Sequence, residues 1–291
     1  MKSIRKLIHA TMGKKMNEPR IENDRVIIVH NHVFKNAGST IDWALKKNFG
    51  EKFLDHRDDA HMIKGEKYLG PFLLENTHIK ALSTHHLRPP LPRLASTSFL
   101  TIMMFRHPIE RVLSVYNFEK VQYDAETLGA KFARNHTLKE YVEWRMKNEV
   151  PPTIRNFHIY RTLSAPVNWK KEVTKNELAE AKSYVQNIAL LGLVDRFDES
   201  MVLFEEQLRP FFPSIDLTYK IQNVGQHKRI GFEEKINYLI KEIGEETYHM
   251  LIEKNQADIE LFDFARNEFQ NRMQKCAEFK EKLSVYMKKS R

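Results

Sequence analysis

The stretch from Val26 to Asn48 constrains the fold more than any other part of the chain. Val26-Ile27-Ile28-Val29 is a short, apolar, β-branched run and reads as a buried strand. His30 to Lys35 follow, then the small residues Asn36-Ala37-Gly38-Ser39-Thr40. A helix is expected from about Thr40 to Asn48, with Ile41, Ala44 and Leu45 on one face and Gly50 as its stop. Further segments at His78–Ser83, Phe99–Phe105 and Ile188–Val194 read as strands. Helical patterns separate them: one starts near Pro108 and carries Ile109, Val112, Leu113 and Tyr116, and another covers Glu199–Leu208. Thr137 with Glu140, and Thr174 with Glu177, are capping-box pairs that open helices to about Lys147 and Gln186. Beyond Phe232 the pattern is almost wholly helical. Strands alternating with helices predict an α/β fold, a central and mostly parallel sheet covered on both faces, with a helical C-terminal region. The boundaries read as a basic N-terminal tail over 1–22, one domain over 23–272 and a helical extension over 273–291.

Composition removes several classes. A single cysteine, Cys276, leaves no intrachain disulfide. No run of about 18 apolar residues is present to span a membrane. The N-terminus lacks the apolar core of a signal peptide. It reads as a solvated tail rather than an amphipathic helix on an anionic membrane surface, where its contact would be weak. Without a membrane anchor, a cytoplasmic location is the expectation. The 47 Lys+Arg against 38 Asp+Glu give a formal charge of +9, which suits an anionic partner. No zinc-finger spacing, aromatic-rich RNA motif or basic repeat points to nucleic acid.

Two segments carry the chemistry. In the first, strand, loop and helix run through Phe34-Lys35-Asn36-Ala37-Gly38-Ser39-Thr40. Small residues admit an anion to the backbone, and unpaired N–H groups at a helix start bind phosphate. Ser39 and Thr40 add hydroxyls, and Lys35 adds charge. This is not the nucleoside-triphosphatase loop, whose lysine directly follows its second glycine. Here the lysine precedes the glycine. In the second segment, Arg106 ends an apolar strand and Ser114 lies two turns into the next helix; a guanidinium and a hydroxyl so placed can hold a second phosphate. Arg111 is a candidate partner for Glu110 or a neighbouring carboxylate.

The Lys35–Thr40 loop, paired with Arg106-His107-Pro108-Ile109-Glu110-Arg111-Val112-Leu113-Ser114-Val115-Tyr116, resembles the carbohydrate sulfotransferases that use 3′-phosphoadenosine 5′-phosphosulfate (PAPS). Among these it resembles the group with heparan sulfate 2-O-sulfotransferase and bacterial homologues. The Gly192–Ser200 segment, Asn156, and the set Asn255, Asp258, Leu261 and Phe262 are similar to further stretches of that family. The resemblance implies a P-loop-like nucleotide-binding sulfotransferase fold. It also implies a 5′-phosphosulfate site at Lys35, Asn36, Ala37, Gly38, Ser39 and Thr40, and a 3′-phosphate site at Arg106 and Ser114.

The resemblance further places a catalytic histidine at the end of a strand, where Thr84-His85-His86 stands; Thr84 replaces the usual glycine. His85 is the expected general base, with His86 as alternate, because imidazole titrates near neutral pH. Lys35 would stabilise the leaving group. The implied acceptor is a carbohydrate or another hydroxylated molecule, with Lys46, Lys47, Arg88 and Arg93 as candidate contacts. No metal is expected: His30 and His32 share one side of a strand, and without a Cys pair or His-Glu-x-x-His motif they read as lining a cleft or ending the strand. Two rival readings are a kinase using the same loop with Mg²⁺ and a non-catalytic binder of acidic polymers.

Overall fold

Arg25–Asn31 forms β1, the middle strand of one sheet. A computed structural model of the protein describes residues 25–219 and 231–290, and the basic tail of the sequence reading lies outside them. Among the described residues five strands pair in the order β2-β3-β1-β4-β5, with β2 at Phe53–Asp55, β3 at Ala81–Thr84, β4 at Thr97–Phe105 and β5 at Leu190–Leu193. Every pair is parallel, with Val29 opposite Leu82 on one side and Thr101 on the other. The expected parallel α/β architecture is therefore present.

Alternation along the strands distributes the core between two faces. Ile28, Leu100, Ile102 and Met104 pack with Ile41 and Leu45 of helix α1 (Gly38–Phe49). Ile27 and Val29 pack on the opposite face with Met62 of α2 (Asp59–Met62) and Leu69 and Leu73 of α3 (Glu66–Glu75). A third cluster joins α4 (Pro108–Lys120), α5 (Leu128–Asn135) and α6 (Leu138–Arg145). Helices α7 (Phe157–Thr162) and α8 (Lys175–Asn187) lie against Met103, Phe105, Leu191 and Leu193. Then come α9 (Phe197–Leu208), α10 (Phe232–Ile243), α11 (Glu245–Lys254), α12 (Gln256–Gln274) and α13 (Phe279–Lys289). The last of these packs on the α1 face, where Tyr286 is buried and its hydroxyl donates to the Leu217 carbonyl at 2.8 Å.

The chain leaves β1 toward β2 and leaves β4 toward β5, although β1 and β4 are neighbours. That divergence opens a crevice beyond their carboxyl ends, the usual ligand position in an open α/β sheet.

Candidate active site

The loop after β1 fills one side of that crevice. Asn36 N–H closes a turn on the Val33 carbonyl at 3.1 Å. Lys35 and Ala37 both lie in the left-handed region, at φ 64° and 61°, although neither is glycine. Ala37 is the N-cap of α1, and no side chain caps the helix. Ser39 is exposed and Thr40 half-buried, with its N–H returned to the Ala37 carbonyl. The first turn of α1 therefore faces the crevice as a set of backbone donors with a positive helix end. Lys35 Nζ lies 4.3 Å from the centre of the Phe118 ring. Asn36 differs from the other loop residues: its side chain turns inward and donates to the Met104 carbonyl.

Arg106 stands across the crevice at the end of β4. It donates to Glu110 at 3.0 Å and to the Lys35 carbonyl at 3.4 Å, and its Nε is buried without a partner. Lys235 of α10 also donates to Glu110, at 2.7 Å. Burial works to raise the Glu110 carboxyl, but Arg106 and Lys235 outweigh it and hold the group below its usual range. Two cations around one carboxylate leave this corner positive. Ser114 lies one turn beyond Glu110 on the same side of α4, half-buried. Arg111 does not pair with Glu110 as the sequence suggested. It is buried, spans from the Phe34 carbonyl to the Thr153 carbonyl and lies over the Phe157 ring at 4.4 Å. It braces the loop from below.

Histidines gather at the ends of β1 and β3. His30 Nδ1 and His32 Nδ1 donate to the two oxygens of Asp42, at 2.7 and 2.8 Å. Asp42 lies in α1, one turn after Gly38. Burial favours its neutral form, yet the two histidine partners hold its carboxyl far below the usual range. Among the described residues, His30, His32 and Asp42 are a group spaced to share a metal ion. Both Nδ1 atoms and both Asp42 oxygens already bond to one another, however, and Arg57 Nη2 sits 3.5 Å from Asp42, where a cation opposes another cation. The arrangement is a hydrogen-bonded bridge. The His32 ring packs directly beneath Gly38 and lies 4.1 Å from the ring of His85.

His85 and His86 differ in their partners. His85 Nδ1 donates to the His32 carbonyl at 3.0 Å, which leaves its Nε2 as the lone-pair nitrogen. Burial, with His32 and the Arg57 guanidinium alongside, pushes this imidazole down to about 3, so it is neutral at ordinary pH. Both nitrogens of His86 are engaged: Arg161 donates to Nδ1 at 3.4 Å, and Nε2 faces Asp59 at 3.3 Å. Burial, then the neighbouring Arg88, pushes Arg161 down to about 10.

Other expected contacts stand elsewhere. Lys46 and Lys47 occupy the last turn of α1, at the far end from the loop, and Lys47 binds Thr218 and Asp216. Arg93 is exposed on the chain returning to β4, whereas Arg88 is half-buried near Arg161. Asp42, Glu110 as a bridge, and Lys235 had no place in the sequence reading of the site. The signal available for Asp42 was the pair of like-facing histidines ahead of a carboxylate in the next helix.

The description "Sulfotransferase family" belongs to the family model that matches residues 20–265. An uncharacterised protein of Archaeoglobus fulgidus is 32% identical over 256 residues, covering 82% of this chain and 96% of that protein.

Proposed function

The chain belongs to the sulfotransferase family, and from that premise we propose that it moves a sulfuryl group from PAPS to a hydroxyl of a carbohydrate acceptor. One observation carries the reading: a neutral imidazole, His85, presents its Nε2 one ring's breadth from a helix start that no side chain caps. The residues fit the donor's two charged ends. The α1 start and Lys35 suit the 5′-phosphosulfate, with Ala37, Gly38 and Ser39 contributing backbone N–H groups, Thr40 its hydroxyl, and Asn36 the shape of the loop. Arg106, whose Nε is buried without a partner, and Ser114 suit the 3′-phosphate.

When bound, the donor supplies the sulfuryl group and departs as the 3′,5′-bisphosphate. His85 Nε2 takes the proton of the acceptor hydroxyl as the new S–O bond forms. Lys35 and the loop N–H groups stabilise the charge on the departing phosphate oxygen. Arg106, steadied by Glu110, anchors the distant end and so fixes the reacting end. His86 is held between Arg161 and Asp59 and serves the acceptor wall rather than the proton transfer. Arg57 and Arg88 give the wall beside the histidines a positive rim that suits a hydroxyl-rich, acidic glycan.

The test is calorimetric binding of adenosine 3′,5′-bisphosphate without metal, against ATP with Mg²⁺, followed by transfer of labelled sulfate from PAPS to a panel of glycans. Metal-free bisphosphate binding and a labelled glycan are expected. Preference for ATP with Mg²⁺ would replace the reading with a kinase. Salt-sensitive glycan binding without turnover would replace it with a binding module.

A further inference from the structure

A buried line of hydrogen bonds runs from α12 to the loop after β1, through residues distant in the chain. Asp258, His158 and Asn36 are 1%, 0% and 1% exposed, so water does not compete for their bonds. Asp258 Oδ1 accepts the Ile159 N–H at 2.9 Å, and Oδ2 accepts both the N–H and the Nδ1 of His158 at 3.0 Å. Burial would raise the Asp258 carboxyl, but His158 and these N–H groups outweigh it and keep it ionised. An ionised carboxylate only accepts, so His158 carries its proton on Nδ1 and offers a lone pair at Nε2. Asn36 Nδ2 donates to that lone pair at 2.8 Å and to the Met104 carbonyl at 2.7 Å. Both amide protons of Asn36 are thereby used, and its side chain has one orientation.

Asn36 sits between Lys35 and Ala37, the two loop residues held in left-handed backbone although neither is glycine. Such residues persist only where their surroundings over-determine them. The Asn36 anchor is the over-determining contact: it clamps the middle of the loop while its neighbours turn the backbone toward the crevice. We propose that Asp258 and His158 are positioning residues for the donor's 5′ end, acting through Asn36 to hold the loop in its anion-binding shape. The inference rests on the proposed sulfotransfer site, since it assigns the loop to the 5′ end.

A purely structural role would weaken all nucleotide binding together; a positioning role weakens the 5′ contribution alone. The measurement is the ratio of the dissociation constants of adenosine 3′-monophosphate and adenosine 3′,5′-bisphosphate on the full chain, by calorimetry, with thermal melts alongside. In Asp258→Asn one amide oxygen replaces two carboxylate oxygens that together accept three N–H donors, so an NH₂ group opposes either Ile159 or His158 and the anchor that aims His158 Nε2 at Asn36 is loosened. The ratio should fall about tenfold or more, the effect of one lost buried hydrogen bond, with 3′-monophosphate affinity unchanged. His158→Leu should act alike, and His158→Gln, which keeps an acceptor near the Nε2 position, should retain most of the ratio. The two His158 variants decide the matter should Asp258→Asn fail to fold. Folded variants with the wild-type ratio, or an equal loss for both nucleotides, would overturn the positioning role. A wild-type chain that gains nothing from the 5′-phosphate would instead overturn the assignment of the loop.

Discussion

Gly38→Ala tests the most crowded contact in the site. Gly38 does not have the positive φ that favours glycine, so backbone freedom is not its reason for being there. A Cβ at this position would lie 2.2 Å from Cδ2 and Nε2 of His32 and 2.7 Å from Cε1. Ordinary contact begins near 3.4 Å, so the ring must retreat by about 1.2 Å. It has little room to do so: Asp42 holds its Nδ1 at 2.8 Å, and the rings of His30 and His85 lie 5.1 and 4.1 Å away. Overpacking of this kind costs about 1–3 kcal/mol, a fall of several degrees in melting temperature for a domain of this size. The functional cost is larger. A displaced His32 moves the carbonyl that orients His85, and a misplacement of about 1 Å lowers rate by about a hundredfold. We expect kcat to fall by that factor and bisphosphate affinity to weaken as the α1 start shifts. Melting, calorimetry and turnover would be measured on Gly38→Ala and on Gly38→Ala with His32→Ala. The double variant should recover bisphosphate affinity, because its alanine at 32 clears the space. Gly38→Ala with wild-type stability, affinity and kcat would refute the reasoning, as would a double variant that binds no better than the single one.

Four further outcomes are expected. His85→Ala should lower kcat by about 10²–10⁴ and His86→Ala by less than tenfold, as general-base loss differs from wall loss; equal effects would contradict the assignment. His85 binds its proton more weakly folded than unfolded, so the stability it brings is complete above pH about 6.5 and is lost as pH falls from there toward about 3. Acid melts should show that decline, less steep in His85→Asn, and kcat/KM should show no acid limb from His85 near pH 6.5. Arg106→Ala should weaken bisphosphate binding about 10–100-fold and leave kcat at saturating donor within a few-fold, because a charge-assisted phosphate contact is lost far from the reacting bond; a larger loss in kcat than in affinity would move Arg106 to the chemistry. Tyr286→Ala, which empties a buried ring position and breaks the bond to Leu217, should cost about 3–5 kcal/mol in denaturant unfolding, and an unchanged midpoint would show that α13 is not integral to the core.

The sheet was largely readable because β1, β3, β4 and β5 each overlap a segment read as a strand, and burial on both faces of a parallel sheet favours apolar runs. Strand β2 escaped notice because Phe53-Leu54-Asp55 is too short to show a pattern; its pairing with β3 makes it a strand. The two capping boxes are present as expected, since Thr137–Glu140 and Thr174–Glu177 are local chemistry. Helix α3 contains Pro71, which masks its pattern, and α7 has only six residues and starts from a left-handed Asn156.

The loop and the strand-end arginine were visible for the same reason as the caps: each is a short motif whose parts touch. Asp258, His158 and Asn36 follow a different logic. They come from α12, α7 and the β1–α1 loop, the contacting pairs are 100 and 122 residues apart, and no spacing rule predicts their meeting. Asn156 and Asn255 beside them interlock in the same way: Asn255 accepts the Asn156 N–H at 3.0 Å, and Asn156 accepts the Asp258 N–H at 3.1 Å. In the sequence these residues appeared as separate weak likenesses. In space they form one buried brace beneath the anion loop. A loop that holds two non-glycine residues in left-handed backbone needs support from outside itself, and only the folded chain can supply it. Local motifs thus mark themselves in the sequence, whereas the groups that hold those motifs in shape come from wherever the fold brings them.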